Sequence, residues 1–285
     1  MEKRNQPTFR VYINDPICPS FGKGSNAYEN HLFREAIAYF DQALRELAGS
    51  VDTFRLKQAW KWKGQALAKL KQFKDALHCY ECALEIDSND IELWFRKADV
   101  LDDLGRLEEA VQCYDRCLVL NPKSSVTLLG DVHDLAYEIW YNRGLILRKL
   151  DRHEDALSSF EHAVRIDPKS MAAWIAQGAE LGALGRYGEE VVCYDRALAI
   201  DASNPMVWNN RGEALGSMGQ AAEAIVCFDR AIELNPRFTD AWFDKGVTLL
   251  NSGRVHDALA CFEEARLLGS DRASQIVEAI RQLIQ

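Results

Sequence analysis

A chain of 285 residues with 48% hydrophobic and 27% charged residues has the balance of a soluble protein but is longer than a typical single core. Its net charge of −9 argues against a nucleic-acid binder or an anionic-membrane binder, which would carry a basic stripe. The first residues lack the apolar core of a signal peptide, and no run reaches the roughly 18 apolar residues of a membrane helix, so a cytoplasmic protein is expected.

Residues 1–24 read as an extended arm. Pro7, Pro16 and Pro19 oppose a long helix, and Phe9 to Ile13 has strand-like composition. Gly22-Lys23-Gly24-Ser25 lacks the G-x-x-x-x-G-K-[ST] order of a phosphate loop. From residue 25 onward the chain repeats. Trp208 is followed 34 residues later by Trp242, Gly212 by Gly246 and Ala197 by Ala231. Such a period implies one supersecondary unit copied and stacked, each copy burying its apolar face on the next.

Seven units are expected, at about 25–50, 57–90, 91–124, 137–170, 171–204, 205–238 and 239–270. In the first, Ala36, Phe40 and Ala43 share one helical face. In the second and third, Trp60, Gly64, Ala76 and Tyr80 recur as Trp94, Ala98, Ala110 and Tyr114. Trp140 then shows that the phase slips, which places a 12-residue insertion at 125–136. Loops of this kind often carry contacts. Units four to seven restore the pattern with Trp140, Trp174, Trp208 and Trp242. Residues 271–285 read as a final helix that caps the exposed end.

Cys79, Cys113, Cys193, Cys227 and Cys261 occupy one position of the repeat, as small core residues would. Cys79-x2-Cys82 has no second pair with zinc spacing, so no metal is assigned. No nucleophile–base motif, H-E-x-x-H or phosphate loop occurs. The expectation is a protein that is not an enzyme and holds no cofactor.

These residues resemble the tetratricopeptide repeat, whose pattern sets Trp, Leu, Gly, Tyr, Ala, Phe, Ala and Pro at positions 4, 7, 8, 11, 20, 24, 27 and 32. The resemblance covers about residues 25–270, and six units carry Trp at position 4. It implies an all-α fold, a right-handed α-solenoid of antiparallel helix pairs. Position 7 departs from the pattern: Lys63, Lys97, Arg143, Gln177, Arg211 and Lys245 stand there. Their stems are expected to lie on apolar surface with the heads in water. Glu190 stands at position 20 of the fifth unit, where an exposed pair with Arg186 one turn back is expected.

The resemblance further implies a concave groove lined by the first helices, which binds a protein segment or peptide. Carried onto this chain, its lining is Lys61 and Gln65, then Phe95, Asp99, Asp102 and Asp103, then Tyr141 and Arg148. It continues through Ile175 and Ala179, Met206, Asn209, Asn210 and Glu213, and ends at Phe243 and Val247. Small apolar residues of the fifth unit, flanked by Met206 and Phe243, suit an apolar anchor. The three aspartates suit a basic segment. Lys61 and Arg96 match two charges of the family's carboxylate clamp, but Gln65 stands where an asparagine belongs. The expected role is a scaffold or adaptor. The alternative is a regulatory subunit that docks through the arm, the insertion or the convex face. Self-association through the first unit is compatible with either.

Overall fold

The computed structural model describes residues 18–120 and 134–284. Among these residues every regular element is an α-helix. In order they are α1 (Pro19–Glu29), α2 (Phe33–Glu46), α3 (Thr53–Lys69), α4 (Phe73–Ile86), α5 (Ile91–Asp103), α6 (Leu107–Leu120) and α7 (Asp134–Lys149). Then follow α8 (His153–Ile166), α9 (Met171–Ala183), α10 (Tyr187–Ile200), α11 (Pro205–Ser217), α12 (Ala221–Leu234), α13 (Thr239–Asn251), α14 (Val255–Leu267) and α15 (Asp271–Ile284). They form two compact units that divide between Arg152 and His153.

Local chemistry sets the helix ends. Asp52, Asp90, Ser170 and Asn204 accept backbone N–H bonds at the starts of α3, α5, α9 and α11, satisfying donors the helix cannot. Position 15, the turn between first and second helices, has positive φ in every repeat. Gly105, Gly185, Gly219 and Gly253 take it in four, and His31, Lys71 and Asp151 in three.

In the first unit α1 packs on α2, α3 on α4 and α5 on α6, and each second helix packs on the following first helix. In the second unit the same order runs from α8 to α15. Within each unit, successive first helices also touch: α1 with α3 and α3 with α5, and α11 with α13. Close approach within a pair depends on position 8. A Cβ on Gly212 would lie 2.6 Å from the Phe228 ring, and one on Gly64 2.7 Å from Tyr80.

The position-4 tryptophan has a polar task as well as an apolar one. Its indole N–H donates to a carbonyl six residues earlier: Trp94 to Ser88, Trp174 to Pro168, Trp208 to Ala202 and Trp242 to Pro236, at 2.9–3.0 Å. The indole thus fastens the turn that precedes its own helix.

Several expectations are corrected. Residues 19–24, read as arm, lie in α1, and Gly24 packs against Phe40 as Gly64 does against Tyr80. The first repeat is therefore a full one that starts near residue 17. The Gly22–Ser25 stretch is buried helix apart from Lys23. The arm proper and nearly all of the 125–136 insertion fall outside the described residues. The position-7 cations do not simply reach water. Lys63, Lys97, Arg143, Arg211 and Lys245 pair with Asp41, Glu81, Asp115, Asp195 and Asp229 of the preceding repeat, at 2.5–3.0 Å. Lys63, Lys97, Arg143 and Lys245 also lie over their own tryptophans at 5.3–5.8 Å. Gln177 interrupts this ladder, and its buried Oε1 has no hydrogen-bond partner.

Cys82 is half-buried and the other seven cysteines are buried. Burial pushes the Cys79, Cys117 and Cys193 thiols up to about 12, which makes them unreactive packing groups.

Candidate functional site

The first-helix faces of the two units hold the residues the sequence reading singled out.

In the first unit, Lys61 on α3 is buried and pairs with Glu92 on α5. Gln65, also buried, donates to the same carboxylate at 3.5 Å. Phe95 is 5% exposed and meets the Tyr114 ring edge-on at 5.8 Å. These three side chains are seam residues between neighbouring helices rather than open groove lining. Next to them α5 and α7 enclose a cleft of about 480 Å³, lined by Asp99, Asp102, Asp103, Tyr114, Asn142 and Arg148 among others. The Tyr114 hydroxyl donates to Asp99 at 2.9 Å, and burial lifts the Asp99 carboxyl to about 6 despite that bond. Lys149 takes Asp102 at 2.6 Å. Of the expected acidic triad, only Asp103 stays exposed. Tyr141 stacks on Tyr137 at 5.6 Å.

In the second unit, α9, α11 and α13 present a different surface. Ile175, Ala179 and Val247 are half-buried, and Met206 is 46% exposed. Phe243, expected to flank this wall, is 6% exposed. It packs on Phe262 at 5.5 Å, and the Arg272 guanidinium lies 4.1 Å over its ring. The reason is common to Lys61, Phe95, Asn209 and Phe243. Position 5 faces the neighbouring element, as the Lys61–Glu92 bond from α3 to α5 illustrates.

Asn209 on α11 is 2% exposed. Its Nδ2 donates to Glu213 Oε1 at 2.8 Å and to Asp244 Oδ2 on α13 at 3.0 Å. Its Oδ1 is buried without a hydrogen-bond partner. Asn210 is half-buried and hydrogen-bonds Tyr194. Glu213 is exposed. Desolvation and the neighbouring Asp244 carboxyl, which shares a hydrogen bond with it, hold Glu213 well above the usual carboxylate range. Since solvent reaches Glu213, the Asp244 pairing is the firmer of the two causes.

Glu190 corrects another expectation. Arg186 pairs with Glu189 at 2.6–2.7 Å instead. Glu190 turns inward, is 8% exposed and bonds Tyr194, and burial lifts it to about 7. Sequence reading missed its partner on α9. A Cβ on Gly182 would lie 2.7 Å from both Glu190 oxygens, so this glycine is what makes room for the carboxyl. Glu190 at an alanine position and glycine eight residues before it were the visible signal.

Among the described residues no three His, Cys, Asp or Glu side chains group as metal ligands would. None of the described helices is long and apolar enough to cross a membrane.

Known proteins match this chain as follows. A tetratricopeptide-repeat profile matches residues 58–90, 91–124, 137–170 and 205–238, and a second profile of the same repeat matches 227–260. Unc-45 homolog B of Xenopus tropicalis is 28% identical over 115 residues, which is 40% of this chain and 12% of that protein. The human zinc finger CCCH domain-containing protein 7B is 48% identical over 59 residues, 20% of this chain and 6% of that one. The chain thus matches only a small part of each. Among solved structures, the C-terminal part of a repeat protein from Cytophaga hutchinsonii aligns with a TM-score of 0.71 at 12% identity, over 90% of this chain and 98% of that one. YrrB, described as a repeat protein with an unusual peptide-binding site, aligns with a TM-score of 0.57 at 21% identity, over 70% and 97%. Periodic tryptophans, tight glycine contacts, paired helices and profile matches over more than half its length agree that the chain belongs to the tetratricopeptide-repeat family.

Proposed function

We propose that this protein is a non-catalytic scaffold that binds an extended segment of another protein along the first-helix face of residues 153–284. The observation that carries this reading is the surface of α9, α11 and α13. Apolar groups that solvent reaches there (Ala179, Met206, Val247) stand among the polar groups of Asn210 and Glu213. Apolar contacts supply most of the energy of such recognition, and a few polar groups fix register. The peptide-binding site of YrrB, a protein of the same fold, agrees with this use of the fold.

The reading predicts that immobilised intact protein retains a subset of a randomised, fluorescein-labelled nonapeptide library. Ala179→Glu sets a bulky charge in the middle of the face. It should reduce retention at least about tenfold, equivalent to 1.4 kcal/mol, with an unchanged melting temperature. Equal retention by the folded variant would move the contact to another surface.

A further inference from the structure

Departures from the repeat converge on the second unit's first-helix face. Position 20 holds alanine in the other six repeats, from Ala36 to Ala258, and Glu190 in the fifth. Gly182 vacates the space that the Glu190 carboxyl fills. On the next repeat, Asn209 draws Glu213 and Asp244 together by donating to both. The Glu190 charge adds to what raises Glu213, behind desolvation and Asp244. Among the described residues no Lys, Arg or His is bonded or paired to any of the three carboxyl groups. This cluster differs from Asp41, Glu81, Asp115, Asp195 and Asp229 of the position-7 ladder, each of which meets a cation.

The acids alone would be only a charged face. The independent observation is Asn209 Oδ1. The side chain is 98% buried, being 2% exposed. With both amide hydrogens committed to acids, its oxygen has no donor. An unpaired buried acceptor forfeits the hydrogen bond that water would have given it. One kind of group answers both deficits: it must carry positive charge for the acids and N–H donors for the oxygen.

We propose that Glu213 and Asp244, drawn together by Asn209, form the seat of a lysine or arginine side chain carried by the bound protein segment, with the Glu190 carboxyl adding to the negative field. This rests on the reading above and specifies the partner. The ammonium or guanidinium enters beside exposed Glu213 and replaces the Asn209–Glu213 hydrogen bond with its own bond to the carboxylate. Asn209 is then free to turn its oxygen to the incoming N–H. Lysine offers three donors and arginine five, so either can serve the carboxylates and Oδ1 together. Met206 and Ala179 lie on the same face and take the apolar residues that flank the cation.

The test uses intact protein and nonapeptide pools randomised among uncharged residues, with the central residue fixed as lysine, arginine, norleucine or glutamate. Lysine and arginine pools should be retained roughly tenfold better than norleucine, with glutamate the weakest, and high salt should narrow the gap. The Glu213→Gln/Asp244→Asn double variant should hold lysine and norleucine pools equally. If the double variant does not fold, Glu213→Gln alone, at an exposed position, should reduce the lysine preference about threefold. Equal retention of every pool by the wild type overturns this inference and leaves the face reading standing. An intact lysine preference in the folded variant overturns the assignment of these acids. No retention of any pool overturns both readings.

Discussion

The first-helix faces of the two units are built on the same repeat and resolve their charges in opposite ways. In the first unit Lys61 holds Glu92, Lys149 holds Asp102, and Tyr114 donates to Asp99. In the second unit Glu190, Glu213 and Asp244 share hydrogen bonds with Tyr194 and Asn209 but meet no cation among the described residues. A charge paired within its own fold contributes to stability and offers little to a partner. A carboxyl group left without a cation costs stability and gains by binding one.

The sharpest way to break this contrast is to remove one acid from each face. Glu92→Ala strands Lys61 in a buried position and should cost about 2–4 kcal/mol in a denaturant titration. Glu213→Ala removes an exposed, repelled carboxylate and should change stability by less than about 1 kcal/mol. Equal losses would mean that the two faces are organised alike.

Glu190 extends the contrast to pH. Its folded carboxyl titrates at about 7 against an ordinary 4.5, so the folded state holds its proton more tightly than the unfolded chain does. The stability this proton confers is complete below about 4.5 and is lost as pH rises through 7. Glu190→Gln should therefore match the wild type at acid pH and exceed it above neutrality. The gap is on the order of 3 kcal/mol in melting curves taken across that window. Glu213, raised in the same way, would keep part of the slope in the variant. A wild type whose stability rises from pH 4.5 to 7 relative to the variant would contradict the placement of Glu190.

Smaller effects test the frame that both faces share. Lys71 holds positive φ at the turn where four repeats use glycine. Lys71→Gly should stabilise by about 1 kcal/mol, read as a rise in melting temperature. Gln177→Lys should restore the interrupted ladder opposite Glu161, at position 25 of the preceding repeat. A gain of about 0.5 kcal/mol is expected from a partly exposed pair.

The repeat, the helix pairs and their close glycine contacts were legible in the sequence because Trp, Gly and Ala recur at fixed spacing. The first repeat was only half legible. Ser20 stands at its tryptophan position, and Pro19, which reads as a breaker, begins α1 where proline is well tolerated. The ladder was visible as a column of cations but not as bonds, since each partner lies on the preceding repeat. The groove residues were the least legible. Lys61, Phe95, Asn209 and Phe243 share a position that neighbouring elements cover, and burial between repeats leaves no trace in the period. Glu190 announced itself as an exception, but its inward turn depended on Gly182 across the helix pair.

The most direct test of the central claim is to map contacts with a photo-cross-linkable peptide pool bearing a central lysine, bound to intact protein and located by mass spectrometry. Cross-links should concentrate on α9, α11 and α13, around Ala179, Met206 and Glu213, and should fall away in the Ala179→Glu protein. Cross-links confined to the second helices, or to the first unit's paired face, would contradict the account.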